Sequence, residues 1–282
     1  MLNLSQAEKA RIFLGLHHGS NLLILPNIWN PIGARILESK GYPAVATASA
    51  AISSSLGYED GERIKLSTHN EIIQRIVSSV KVPVSDDIES GYSLSLSGLK
   101  ETITKIIATG IAGINIEDSY DDEKTLRSVD EQCERIAISR EAANSTGIPL
   151  VINARIDFFL VNPSNSKEAI IEETIKRAKA YIKAGADCVF PIGITDLDTL
   201  IILRKEIDSP INVLGSSRSE SLTTLRKVGI NRVSFGPFIF RSCMKKFVRI
   251  IDELYELGSN ECFSKETLTH NDIVKYLQKE KE

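Results

Sequence analysis

Short apolar runs alternate with longer amphipathic segments along the whole chain. The first apolar run, Leu22-Leu23-Ile24-Leu25, predicts a strand, and the segment 31–40 behind it predicts a helix stopped by Gly41. The same rhythm predicts strands over 42–47, 82–85, 113–116, 149–154, 187–190, 211–214 and 232–235. Helices are predicted over 68–80, 99–109, 130–145, 167–184, 196–205, 221–228 and 238–257, with a further helical segment over 265–278. In the second of these helices Ile72, Ile73, Ile76, Val77 and Val80 form one stripe, as in a helix packed on one side. Gly110, Gly147, Gly185 and Gly229 stand where helices are expected to end, each suited to a left-handed cap.

Eight strands, each with a helix behind it, in roughly 250 residues predict an α/β fold of the (β/α)8 TIM-barrel type. The predicted strands read as apolar on both faces, as parallel strands covered on both sides should. An open doubly wound sheet is the rival, but no Gly-x-Gly-x-x-Gly follows the first strand. No Pro-, Ser- or Gly-rich linker divides the chain. Residues 1–258 are therefore expected to form the barrel with an N-terminal helix, and 259–282 a C-terminal helical tail.

Composition narrows the function classes without naming one. The 282 residues are 42% hydrophobic and 25% charged with a net charge of −3, which is ordinary globular composition. There is no basic footprint for nucleic acid and no apolar stretch long enough for a membrane helix. The four cysteines, Cys133, Cys188, Cys243 and Cys262, have no metal-site spacing. With no signal-peptide layout at the start, a reducing cytoplasm is the expected location.

In such a barrel the chemistry sits at the C-terminal ends of the strands. Asp60, Asp87, Glu89 and Glu117 follow strands 2, 3 and 4, and would share one mouth. Clustered carboxylates repel unless a cation lies among them, and hard oxygen ligands suit Mg²⁺ or Mn²⁺. Helix caps and surface pairs are the bland alternative for each acid. Arg155 ends an apolar strand, and its fork fits a substrate carboxylate or phosphoryl group. Alternation also puts Asn153, Arg155 and Asp157 on one side, so an internal pair competes with that role. The small-residue run from Thr47 through Ala48, Ser49 and Ala50 offers either backbone amides to an anion or the tight packing of a short helix. His17, His18, His69 and His270 lie away from strand ends and are expected to be structural or exposed. Tyr120 and Lys124 are candidates to close over the site.

The run Ser55-Leu56-Gly57-x-x-Asp60, then Asp87-x-Glu89-Ser90-Gly91-Tyr92, then Glu117-Asp118, then Asn153-Ala154-Arg155 resembles the isocitrate lyase and phosphoenolpyruvate mutase superfamily. The resemblance spans about residues 23–240. It implies a barrel whose last helix is swapped between subunits of a dimer or tetramer. It implies Mg²⁺ held by Asp87, with Glu89, Glu117 and Asp60 reaching it largely through water. It also implies a small 2-oxo acid substrate reacting through its metal-stabilised enolate. In that reading Thr47, Ala48, Ser49 and Ala50 bind the substrate carboxylate through main-chain amides. Arg155 holds the substrate's far anionic group or the developing oxyanion, and Arg155 and Glu117 are the catalytic candidates.

The departures are informative. Lyases of this superfamily carry a Lys-Lys/Arg-Cys-Gly-His loop after the fourth strand, whereas the stretch 117–127 here has neither cysteine nor histidine. The mutase type carries a Lys-x-Asn element and a histidine after strand 6, where Ile192 stands here. The chain looks most like members named carboxyvinyl-carboxyphosphonate phosphorylmutases. The expected activity is a Mg²⁺-dependent lyase or phosphonomutase breaking a C–C or P–C bond beside the carbonyl of a 2-oxo acid. The rivals are an oxaloacetate-type decarboxylase and a 2-oxo acid binding protein with little turnover.

Overall fold

The computed structural model describes residues 4–120, 125–263 and 267–278. It opens with helix α1 (Gln6–His18), whose first turn is held by a reciprocal pair of bonds between Ser5 and Glu8. Parallel strands and helices then alternate: β1 (Leu23–Leu25), β2 (Asn27–Ile28), α2 (Pro31–Ser39), β3 (Val45–Thr47), α3 (Ser49–Ser55), α4 (Leu66–Val77), β4 (Val84–Asp87), α5 (Leu96–Ile107), β5 (Gly113–Glu117) and α6 (Val129–Thr146). The second half runs β6 (Val151–Ile156), α7 (Phe158–Val161), α8 (Lys167–Ala184), β7 (Cys188–Pro191), α9 (Leu197–Glu206), β8 (Asn212–Leu214), α10 (Leu222–Val228), β9 (Arg232–Ser234), α11 (Phe238–Asp252) and α12 (His270–Leu277).

The strands form two parallel sheets, β1-β9-β8 and β2-β3-β4-β5-β6-β7. Two joints link them into a ring. On one side Pro26, which has no N–H to give, interrupts a single stave into β1 and β2. On the other, a parallel bridge pairs Val189 of β7 with Ile211, the residue before β8. The expected eight-stave α/β barrel is the architecture observed among the described residues.

Several strands lie closer to the barrel mouth than their apolar runs suggest. The pattern points to 82–85 and 149–154, whereas the ladders include Asp87 and Arg155. Pro83 and Pro149 explain the late starts, because neither can donate to a neighbouring strand. The long helix expected over 238–257 ends as α11 and continues as one π-helical turn, Glu253–Leu257. In the tail, α12 packs on α2, where Arg35 donates to the carbonyl of Leu277 at 2.7 Å.

The main core lies between the barrel wall and its helices, with Ile73, Ile76, Leu99, Ile103 and Ile136 fully buried. A second cluster closes the barrel floor, where Phe13 and Ala10 of α1 meet Leu25, Ala44 and Ala112. Gly113 permits that closure, because a Cβ there would stand 2.8 Å from the Phe13 ring. The barrel interior departs from the apolar expectation. Asn27, Ser85, Asn115, Asn153, Asn212, Arg232 and Ser234 are all buried. They satisfy one another in part, as in the bond from Asn153 Nδ2 to Asn115 Oδ1 at 2.9 Å. No helix among the described residues is long and apolar enough to cross a membrane.

Candidate active site

A cavity of about 180 Å³ opens at the C-terminal ends of the strands. Asp60, Asp87, Asn115 and Arg155 line it, together with the residues from Thr47 to Ala50. Arg241, exposed on the first turn of α11, lines the same cavity. Sequence reasoning missed Arg241, because it lies inside a helix rather than directly after a strand. Glu89 and Glu117 are buried beside the cavity rather than part of its lining.

Asp87 ends β4 with its carboxylate surrounded by donors. Its Oδ2 accepts from the Ser49 N–H at 3.1 Å and the Ser49 hydroxyl at 3.0 Å, and its Oδ1 accepts from Asn115 Nδ2 at 2.8 Å. This changes the expectation for the Thr47-to-Ala50 run. The Ala48 N–H goes to the carbonyl of Ile28, and the Ser49 N–H serves Asp87. The Ser49 amide thus anchors the site's own carboxylate, and α3 begins without a side-chain cap.

Glu89 and Glu62 clasp two loops together. Glu89 Oε2 accepts from the backbone N–H groups of Gly61 and Glu62 at 2.7 and 2.6 Å. Glu62 Oε1 in return accepts from the Ser90 hydroxyl and the Tyr92 N–H, both at 2.8 Å. Glu62, Glu89 and Tyr92 adopt positive φ values of 57°, 53° and 55°. Strain of that kind persists only where the surroundings hold it, and here the clasp does so. The other oxygen, Glu89 Oε1, is buried without a hydrogen-bond partner. Burial, reinforced by Asp60 and Asp87, pushes the Glu89 carboxyl up to about 8.

Parallel register sets Glu117 of β5 beside Arg155 of β6. Glu117 Oε2 pairs with Arg155 NH1 at 2.6 Å. The rest of the guanidinium grips Asp157, through Nε to Oδ1 at 2.7 Å and NH2 to Oδ2 at 2.9 Å. The internal pairing expected as the alternative for Arg155 is thus present. Burial works against the charge on Arg155, but Asp157 and Glu117 outweigh it and hold its pKa well above the ordinary value. Burial raises Glu117, Arg155 opposes that, and Asp157, Asp87 and Glu89 add to it. Ser119 sits between the two acids, 3.0 Å from Glu117 and 2.8 Å from Asp157. Behind them Asp118 accepts from the Asp157 N–H at 2.8 Å, Arg177 NH1 at 2.9 Å and the Tyr181 hydroxyl at 2.7 Å, which fixes the end of β6.

The donor set fits a hard dication. It is made of oxygens, one buried carboxylate oxygen is orphaned, and Glu89 and Glu117 are both pushed up, first by burial and then by neighbouring acids. A direct cage of Asp60, Asp87, Glu89 and Glu117 is not what the side chains form. Among the described residues no three Asp, Glu, His or Cys groups converge closely enough to hold an ion. An ion that keeps most of its waters suits such an arrangement, and Mg²⁺ is of that kind.

His69 of α4 is completely buried, with Nε2 2.9 Å from Asp86 Oδ2. Burial disfavours its imidazolium, but the Asp86 charge and hydrogen bond prevail and raise its pKa. The adjacent acids Asp86-Asp87 were the overlooked signal, since neighbouring strand residues face opposite ways. His17 is buried at the barrel floor. Desolvation and the Arg232 charge push it down to about 3. Tyr120 is turned onto α6, where its hydroxyl donates to Glu131 at 2.9 Å. Lys124, the other candidate for closing the site, lies outside the described residues.

The profile of one family, phosphoenolpyruvate phosphomutase, matches residues 13–255. The chain belongs to the phosphoenolpyruvate phosphomutase family. An uncharacterised protein of Mycobacterium tuberculosis is 32% identical over 224 residues, covering 79% of this chain and 81% of that protein. Oxaloacetate decarboxylase 2 of Pseudomonas fluorescens is 25% identical over 279 residues, covering 95% of this chain and 94% of its own. A crystal structure from Burkholderia cenocepacia J2315, described as that of a lyase/mutase, superposes with a TM-score of 0.89 at 29% identity, covering 98% of this chain and 97% of that one. The chain is an enzyme of the lyase and mutase class that this superfamily comprises.

Proposed function

We propose that this family member is a Mg²⁺-dependent lyase or phosphonomutase-like enzyme acting on a small 2-oxo acid. It breaks a C–C or P–C bond next to the carbonyl by way of an enolate. The observation that carries this reading is that Asp87 and Arg155 line one small cavity, a carboxylate for a cation and a guanidinium for an anion. Asp87 would hold the ion, and Asp60, Glu89 and Glu117 would order its waters. When bound, the dication supplies Lewis-acid stabilisation of charge developing on the substrate's oxygens.

Arg155 keeps capacity for substrate. A guanidinium has five N–H donors; two are bonded to Asp157, and NH1 is ion-paired with Glu117. The donors left over on NH1 and NH2 can serve a carboxylate or an oxyanion. Thr47, Ala48, Ser49 and Ala50 wall the substrate side, and Arg241 supplies a second cation for a far anionic group. Glu117, held against Arg155, would stand between the substrate's anion and the waters of a bound ion.

A second reading, oxaloacetate-type decarboxylation, is favoured by the near full-length similarity to the Pseudomonas decarboxylase. It also suits a stretch after β5 that has no cysteine to act as acid. Mg²⁺-dependent turnover of oxaloacetate, phosphonopyruvate and 2-methylisocitrate, beside an Asp87→Ala control, separates these activities. Turnover that survives the substitution would refute the metal reading. Oxaloacetate binding without product would point to a binding protein.

The same proposal includes assembly by exchange of α11 between cytoplasmic subunits, in a dimer or a tetramer. Its support is a row of exposed apolar side chains, with Phe247 56% and Tyr255 90% exposed. A patch of that kind on a monomer calls for a partner. Residues 1–258 then make the barrel and 259–282 the tail that docks beside α2.

A further inference from the structure

We propose that His69 is a positioning residue for the Asp87 carboxylate, acting through Asp86 and Thr47. The inference rests on the reading of Asp87 as the metal-site carboxylate and adds a group that touches neither metal nor substrate.

The geometry is a directed chain of hydrogen bonds. His69 Nε2 donates to Asp86 Oδ2 at 2.9 Å. The Thr47 hydroxyl donates to Asp86 Oδ1 at 2.8 Å. The Asp87 N–H donates to Thr47 Oγ1 at 3.0 Å. Asp86 is an acceptor at both oxygens, so the Thr47 proton is committed to it and a Thr47 lone pair is left facing Asp87. The carbonyl of Thr47 is held as well, accepting from Asn27 Nδ2 at 2.6 Å. On the far side the Tyr92 hydroxyl lies 3.5 Å from His69 Nδ1, and the two rings are 5.5 Å apart. Tyr92 belongs to the loop that Glu62 clasps, so the chain ties α4, β3, β4 and that loop to the Asp87 main chain, and so to the point from which its carboxylate leaves the strand.

Stability alone does not require this pair. His69 and Asp86 are both fully buried. A buried polar pair is often no more stabilising than apolar residues of the same volume. What an apolar pair cannot do is set the direction of the Thr47 hydroxyl. Outer partners of this kind orient metal-binding carboxylates, and their loss typically weakens metal affinity by about 10–100-fold.

The test is an Mn²⁺ titration followed by EPR, with a thermal unfolding midpoint for each protein. Thr47→Val removes the hydroxyl at constant shape, and the double variant His69→Ala/Asp86→Ala removes the pair without stranding a charge. Both are expected to bind Mn²⁺ about 10–100-fold more weakly than wild type. His69→Gln, whose amide can still donate to Asp86, is expected to bind within a few-fold of wild type. Wild-type affinity in folded Thr47→Val overturns the proposal, as does wild-type affinity in the folded double variant. Should the double variant fail to fold, Thr47→Val decides. Absence of Mn²⁺ binding by wild type overturns the metal reading itself, and the proposal with it.

Discussion

Glu117 Oε2 lies 2.6 Å from Arg155 NH1, and the two residues are direct partners in the register of β5 and β6. With Asp157 on its other edge, Arg155 is one cation shared by two buried carboxylates. That arrangement leads to the first prediction. Arg155→Ala strands two buried acids and should cost about 3–5 kcal/mol of stability, read by urea denaturation. Arg155→Lys keeps a charge but loses the fork. Its kcat/KM is expected to fall by about 100-fold while the protein stays folded, and unchanged kinetics would remove Arg155 from the substrate site.

Asp87 accepts three hydrogen bonds, and it lines the cavity. Asp87→Ala should abolish Mg²⁺ binding measured calorimetrically, by more than the about 100-fold that loss of an outer partner costs. Chelation of wild type should suppress turnover, with recovery on adding Mg²⁺ or Mn²⁺.

Without metal, stability should fall as pH rises. Glu89 is pushed up from 4.5 to about 8 by burial, Asp60 and Asp87. Between those values the folded chain keeps a proton that the unfolded chain has released, so unfolding gains ground with each step up in pH. The thermal midpoint of the metal-free protein should therefore drop between about pH 5 and pH 8. Saturating Mg²⁺ should flatten that slope, and Glu89→Gln should remove much of it. A midpoint that rises across the range would contradict the assignment.

Tyr181 holds the buried Asp118 carboxylate through a 2.7 Å bond. Tyr181→Phe removes that donor and the oxygen that accepts from Arg177 NH1 at 2.9 Å, so it should cost about 1–3 kcal/mol. Its effect on KM should be small, because Arg177 and the Asp157 N–H still hold Asp118.

The exposed face of α11 predicts association. Phe247→Glu should reduce the mass measured by analytical ultracentrifugation to that of a smaller species. A wild-type chain that sediments as a 31.1 kDa monomer would remove the exchange proposal.

The sequence by itself determined the alternation of strand and helix, because a period of two and a period of 3.6 are local properties. It also placed Asp87, Glu117 and Arg155 at one mouth, since the ends of parallel barrel strands share a face. Only the tertiary structure decided the partners. Asp86 and Asp87 are neighbours in the chain, yet one meets His69 and the other Ser49 and Asn115. Arg155 reads as an anion receptor or as half of an internal pair until β5 is set beside β6 and Glu117 arrives at its NH1. The polar barrel interior was hidden for the same reason, as Asn153 finds an acceptor in Asn115 only across two strands. Each of these pairings depends on strand register and on which way a side chain leaves the sheet. Register is set by packing of the whole ring, and no local stretch of sequence contains it.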